Sequence, residues 1–321
     1  MIRYLSARLF QSLVVLGVMS FVIYGLMGLM PGDPVDLMIS ADPDVSAVDA
    51  ARLRALYGLD RPVAERYGNW LKAALSGDLG YSRAHARPVL DVLWPALGNT
   101  ARLLGAALIL SLAVGLPAGI VAATRPHSKI DYTINLMAFA GVSVPPFWLA
   151  LLLIIVFAVV LGVLPAGGMG ALAGGGFWEG ARFAVLPVAS LTLASIGGHT
   201  RYARAAMIET LRQDFVRTAR AKGLRPTRVV IGHALRNAMI PVVTIVALEF
   251  GYLFSGALIT ETVFAFPGMG KLIFDAIMGN DFNLALTALL FATALTLLGN
   301  FLADAAYLWL DPRISFRSAD A

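Results

Sequence analysis

Apolar residues in this chain gather in long, nearly unbroken blocks separated by shorter polar stretches, rather than in the alternating or one-faced patterns of soluble strands and helices. Six blocks reach the roughly 17–25 residues that a helix needs to cross a hydrocarbon layer of about 30 Å. A helix is the form that leaves no backbone N–H or C=O facing lipid. The pattern predicts spans near Leu9–Met30, Asn99–Ala123, Ile134–Leu164, Phe183–His199, Ile240–Thr262 and Leu284–Leu310. In the third, Pro145 and Pro146 remove two consecutive donors, which predicts a kink or interruption. The first follows Arg3 and Arg8 in the manner of a signal peptide. Its apolar run is too long, however, and no small-x-small cleavage site follows, so it reads as a retained span.

Composition agrees. With 58% hydrophobic and 14% charged residues, a single soluble core would expose far too much apolar surface. The net charge of +5 does not point to nucleic acid, because no basic patch is interleaved with stacking aromatics. The chain has no cysteine, and His85, His127, His199 and His233 lie far apart without ligand spacing. No metal site, catalytic residue or resident cofactor is expected.

Lys and Arg concentrate on one set of alternating polar segments: the N-terminus, the Arg125–Asp131 connection, the Arg201–Arg236 loop and the C-terminus. The other set carries more acids than bases. Positive charge marks the cytoplasmic side, so both termini are expected inside. The chain divides into residues 1–30 (tail and first span), 31–97 (an extracytoplasmic segment), 98–310 (the remaining spans) and 311–321 (a cytoplasmic tail). Apolar residues recur at helical spacing from Ala47 to Leu56 and from Val63 to Leu75, with Tyr67, Trp70 and Leu71 able to share a face. The outer segment therefore reads as a small helical subdomain, either at the outer mouth or lying on the membrane surface. The run from Gly167 to Gly176 lacks the preceding strand and following Lys-Ser/Thr of a phosphate cradle and reads as a flexible loop.

The cytoplasmic segment 201–238 holds more than charge. Asp214 is expected to cap a short helix through Lys222. Gly223 suits the left-handed position that ends a helix, and Pro226 suits the first turn of the next, running toward Asn237 before Pro241 opens the fifth span. Ala219 and Ala221 are small enough for close approach to a partner, with Arg217, Arg220 and Lys222 around them. Orientation alone would require the charge but not this helix–turn–helix.

The segment resembles the coupling loop of bacterial ABC importer permeases, in which Glu-Ala-Ala is followed by three residues, Gly, nine residues and Ile-x-Leu-Pro. Here those places are held by Arg217, Thr218 and Ala219, then Gly223, then His233, Ala234, Leu235 and Arg236. Four of the pattern's residues are thereby replaced. "RTARAKGL" and "HALRNAMIP" resemble the peptide/nickel (dipeptide/oligopeptide) branch instead, as do "LMPGDP", "YGLDRPVAERYGNWLKAALSGDLGYS", "ETVFAFPGMGKL" and "YLWLDPR" in their topological places. The resemblance covers nearly the whole chain. It implies an all-α, six-helix permease of the type I importer kind in a bacterial inner membrane. It also implies a homologous second permease, cytoplasmic ATPase subunits that hold ATP and Mg²⁺, and an extracytoplasmic solute-binding protein. Coupling to the ATPase would fall to Arg217, Ala219, Arg220, Lys222, Gly223 and His233. ATP binding by this chain is not expected, since the nearest Walker-like run, Gly268–Leu272, has Leu where the Mg²⁺-binding Ser/Thr should stand.

Charged groups within spans are costly and usually face a cavity or a partner. Glu249, Glu261 and Asp304 are thus candidates for the translocation path, where an acid could attract a peptide's amino terminus; the alternative is that they hydrogen-bond to neighbouring helices. Intramembrane acids and a broken helix also fit an ion-coupled secondary transporter, but no internal repeat is evident and such a transporter has no need of the docking loop.

Overall fold

The computed structural model describes residues 2–29, 60–169, 177–252 and 257–310. Among the described residues, four helices are each long and apolar enough to cross a membrane: α1 (Ile2–Met27), α3 (Val89–Thr124), α6 (Phe177–Leu211) and α12 (Phe282–Leu310). At 1.5 Å per residue, even α1 extends about 39 Å. α4 (Lys129–Ser143) and α5 (Pro146–Leu153, continuing as a π-helix over Ile154–Val160) are together long and apolar enough for a further, broken span, bent by 96°. The bend falls where expected. Val144 and Pro145 are extended, and Pro146 restarts the helix at a position where its missing N–H costs nothing. The expected fifth span, Ile240–Thr262, corresponds to α9 (Leu235–Tyr252) and the short α10 (Leu258–Val263), with residues 253–256 outside the description.

Two helices start well before their expected boundaries. α3 begins at Val89 rather than Asn99 and continues through Pro95 and Pro117, and α6 spans 35 residues with Pro187 inside. α3 and α6 meet along a glycine seam. A Cβ on Gly119 would lie 2.5 Å from the Thr200 carbonyl oxygen, and one on Gly115 would lie 3.0 Å from the His199 side chain. With no hydrophobic drive between helices in lipid, backbone approach at small residues four apart is what holds such a pair. α4 closes on α6 in the same way, since a Cβ on Gly197 would meet the Ala138 carbonyl oxygen at 2.3 Å.

In the described part of the outer segment, α2 (Val63–Leu75) and the first turns of α3 are helical; the expected helix at Ala47–Leu56 lies outside the described residues. Tyr67 and Trp70 of α2 pack on Tyr24 of α1, and the Tyr67 hydroxyl is 2.7 Å from Ser20 Oγ. An antiparallel pair follows, β1 (Tyr81–Ser82) with β2 (Arg87–Pro88), an element the helical spacing did not foretell. It docks on the turn between α11 (Met269–Met278) and α12. Asp281 is buried there and accepts from the Ser82 hydroxyl at 2.6 Å and from the Ala84 N–H at 3.0 Å.

Candidate functional site

The basic loop forms α7 (Asp214–Ala221), then a turn at Lys222–Arg225, then a helical turn α8 (Pro226–Arg228) that passes through a π-helical stretch, Val229–Ala234, straight into α9. Asp214 is the first helical residue rather than the cap, which is Gln213 and makes no side-chain cap bond. Asp214 instead pairs with Arg217 one turn on. At the other end, Gly223 has φ +75°, with its N–H donating to the Arg220 carbonyl at 2.9 Å. The Leu224 N–H donates to the Ala219 carbonyl at 3.4 Å. This pair of bonds is a Schellman turn, and Leu224 supplies its usual apolar contact by packing on the cluster beneath. Pro226 stands at the start of α8 as expected. Pro241, however, lies inside α9 and opens no separate span.

Val216 and Ala219 face inward and are buried with Ala123 of α3, Ala206 and Met207 of α6, and Val229, Ala238 and Val242 of the following helix. The smallness of Ala219 therefore serves close packing within this chain, not the approach of a partner's backbone. The outward face is formed by Phe215, Arg217, Thr218, Arg220, Ala221 and Lys222, all exposed. His233 lies half-buried in the π-helical stretch, where Asn237 donates to its carbonyl. α7 is thus a cationic helix rooted on the ends of three spans.

Two of the three acidic candidates have described side chains, and each bonds to a neighbouring element. The Glu249 side chain lies outside the described residues. Glu261 is completely buried and accepts from the Thr100 hydroxyl at 2.6 Å and the Lys271 N–H at 2.9 Å. Thr100 in turn accepts from the Met269 N–H at 2.7 Å. A Cβ on Gly268 would sit 2.3 Å from the Glu261 carboxyl carbon, which explains the glycine in "FPGMGK". This carboxylate ties α3, α10 and α11 together; it does not line a path. Asp304 pairs with Arg8 of α1 at 3.2 Å. For both, the neighbour-bonding alternative is what the structure shows. Beside the Glu261 cradle, a cavity of about 340 Å³ is lined by Val92, Pro95, Asn99, Pro267, Lys271 and Asp275 among others.

Sequence reasoning missed an ion pair between buried Asp131 and the partly exposed Arg204. Arg204 Nε donates to Asp131 Oδ1 at 2.7 Å and Nη2 donates to Oδ2 at 2.8 Å. Asp131 is buried and also accepts from Asn135 Nδ2 at 2.7 Å and from the His127 N–H at 2.9 Å. His127 adopts φ +61°, a conformation costing a non-glycine residue on the order of 1–2 kcal/mol. The sequence signal was "SKID", since Ser128 caps α4 by accepting from the Asp131 N–H. Among the described residues, no group of three or more His, Cys, Asp or Glu could hold a metal ion.

Comparison with known proteins gives one answer. Residues 115–316 match the family of binding-protein-dependent transport system inner membrane components, and residues 1–104 match that family's N-terminal model. The oligopeptide transport system permease protein AppB of Bacillus subtilis (strain 168) is 36% identical, with 98% of this chain and 100% of that protein covered. A putative peptide permease protein of Brucella suis biovar 1 is 39% identical over 98% and 99% of the two chains. The dipeptide transport system permease protein DppB of Escherichia coli (strain K12) is 34% identical over 91% and 92%. Among solved structures, a chain of the MetNI methionine ABC transporter in an inward-facing conformation superposes with a TM-score of 0.58 at 19% identity. That match covers 70% of this chain and 98% of the other, and it shows the shared fold. With its broken and unbroken spans, its helix–turn–helix between the fourth and fifth, and these matches along nearly its whole length, the chain belongs to the inner membrane components of binding-protein-dependent transport systems.

Proposed function

We propose that this permease forms half of the path by which an ATP-driven importer takes up short peptides, with α7 as the point where a separate ATPase drives it. The peptide assignment rests on the names carried by its relatives. The observation that carries the drive is the construction of α7. Its cationic face is free of contacts that would bury it, while its apolar face is fixed to α3, α6 and α9. A partner can shift a conformational equilibrium only by contacts that differ between the states. Closure of an ATPase pair against α7 supplies that difference, and the shared core passes the displacement to three spans at once. ATP and Mg²⁺ belong to the partner.

In this reading residues 201–238 and both termini face the cytoplasm, and a homologous second permease completes the path. Residues 31–97 form an outer subdomain that meets the solute-binding protein, with the hairpin at Tyr81–Pro88 presented at the mouth. An ion-coupled transporter is disfavoured by the family to which the chain belongs.

The test is site-specific photocrosslinking from Arg217 and Arg220 in intact cells. Adducts should form with a nucleotide-binding protein and should require its presence for uptake of labelled peptide. Uptake abolished by a protonophore at constant cellular ATP, with no such adduct, would overturn the reading.

A further inference from the structure

Charged pairs at buried sites are expensive to assemble, because both ions lose their water, and replacing them with apolar residues is often neutral or stabilising. Their use is to admit one arrangement and exclude others. The pair Asp131–Arg204, with the acid buried and the arginine partly exposed, has the geometry for such a use. Arginine's planar fork meets both carboxylate oxygens, and the other bonds to that carboxylate come from Asn135, one turn further along α4, and from the His127 N–H two residues before the helix. Asp131 thereby fixes the start of α4, and Arg204 fixes that start to α6.

The placement of Arg204 on α6 is what gives the pair consequence. One residue before it, Ala203 packs against Gly119 of α3. Two and three residues after it, Ala206 and Met207 form the floor under Val216 and Ala219 of α7. On the other side, α4 is held along α6 at Gly197–Ala138 and Gly141–Leu193 and leads to the 96° break at the two prolines. The pair sits at the junction between the helix proposed to receive ATPase motion and the broken span.

We infer that Asp131 and Arg204 are positioning residues for coupling: they lock α4 to α6 at the root of α7, so that these helices move as one body and displacement of α7 reaches the bend at Val144–Pro145. The pair stays closed throughout the cycle. This rests on the reading of α7 as the driven element.

The natural absence of cysteine makes the test direct. Spin labels are placed at Tyr132→Cys on α4 and Glu209→Cys on α6, both exposed positions, in the importer purified through this chain. The distance between them should be the same without nucleotide and with ATP and vanadate. Arg204→Gln should broaden it, and Arg204→Lys, which keeps the charge without the fork, should broaden it less. In proteoliposomes, Arg204→Gln and Asp131→Asn should keep ATPase co-purification and hydrolysis within about twofold, while uptake of labelled Ala-Phe per ATP hydrolysed falls tenfold or more. A wild-type distance that changes with nucleotide, or an Arg204→Gln complex with a normal distance and normal uptake per ATP, overturns the inference. Absence of an ATPase from the purified wild-type complex overturns the docking reading instead. Failure of the wild type to take up Ala-Phe counts against the peptide assignment, and the distances still decide the lock.

Discussion

Thr100 and Glu261, 161 residues apart, share a hydrogen bond of 2.6 Å in a site closed to solvent, with Gly268 pressed against the carboxylate. The bond joins α3, the second span, to α10 at the end of the fifth. It also places an acid that looked suited to a translocation path inside a structural cradle.

Removing the donor should therefore weaken the fold. Thr100→Val leaves Glu261 with an unmet acceptor and should cost about 1–3 kcal/mol. Gly268→Ala forces a methyl into the carboxyl group and should cost a similar 1–3 kcal/mol or more. Both should lower the thermal unfolding midpoint in detergent. An unchanged midpoint for Gly268→Ala would mean the cradle is looser than its distances imply.

The turn after α7 makes a separable prediction. Gly223→Ala keeps size and polarity nearly constant but places a Cβ at φ +75°, at a cost of about 1 kcal/mol, whereas Gly223→Asn tolerates that conformation better. ATPase co-purification should fall in the order Gly, Asn, Ala while membrane insertion stays constant. Equal co-purification of all three would show that the turn does not set the docking helix.

The glycine seam between α3 and α6 has an internal control. Gly119→Val meets the Thr200 carbonyl and the Ala203 side chain and should abolish stable expression. Gly198→Ala, with open space at its Cβ, should be neutral or stabilising by up to about 1 kcal/mol. Fluorescence-detected size-exclusion profiles of the two variants distinguish a seam from a coincidental contact. Matching profiles would exclude it.

Asp281 holds the outer hairpin and also accepts from the Leu284 N–H at 3.3 Å in the first turn of α12. Asp281→Ala removes the acceptor for Ser82 and the Ala84 N–H. The segment from Gly80 to Pro88 should become a site of limited proteolysis from the outer face. Protection equal to the wild type would show that the Arg83 bond to the Gly279 carbonyl and the Asn283 bond to the Tyr81 carbonyl are sufficient to hold it.

Much of this was legible because it depends on composition over a window. A block of 20 or more apolar residues admits few folds in lipid, so α1 and α12 were read from the sequence, as was the break at Pro145–Pro146. Gly223 and Pro226 were legible for a local reason, since their backbone restrictions hold wherever the chain goes. The seam at Gly115 and Gly119 carried a readable signal too, two small residues four apart in an apolar run, although nothing in the sequence says which helix they meet.

The remainder waited on contacts between distant residues. Sequence determined that Asp131, Glu261 and Asp304 are acids in or beside apolar segments, and that such acids need partners. Only the tertiary structure decided that the partners are Arg204, Thr100 and Arg8, because helix direction and rotation bring those side chains within reach. The same holds for Ala219. Its size was plain from the sequence, but its role depends on which side of α7 faces the bundle. The structure turned Ala219 toward α3 and α6 and left the cations facing out, because only the apolar stripe of Val216 and Ala219 can be buried without stranding a charge.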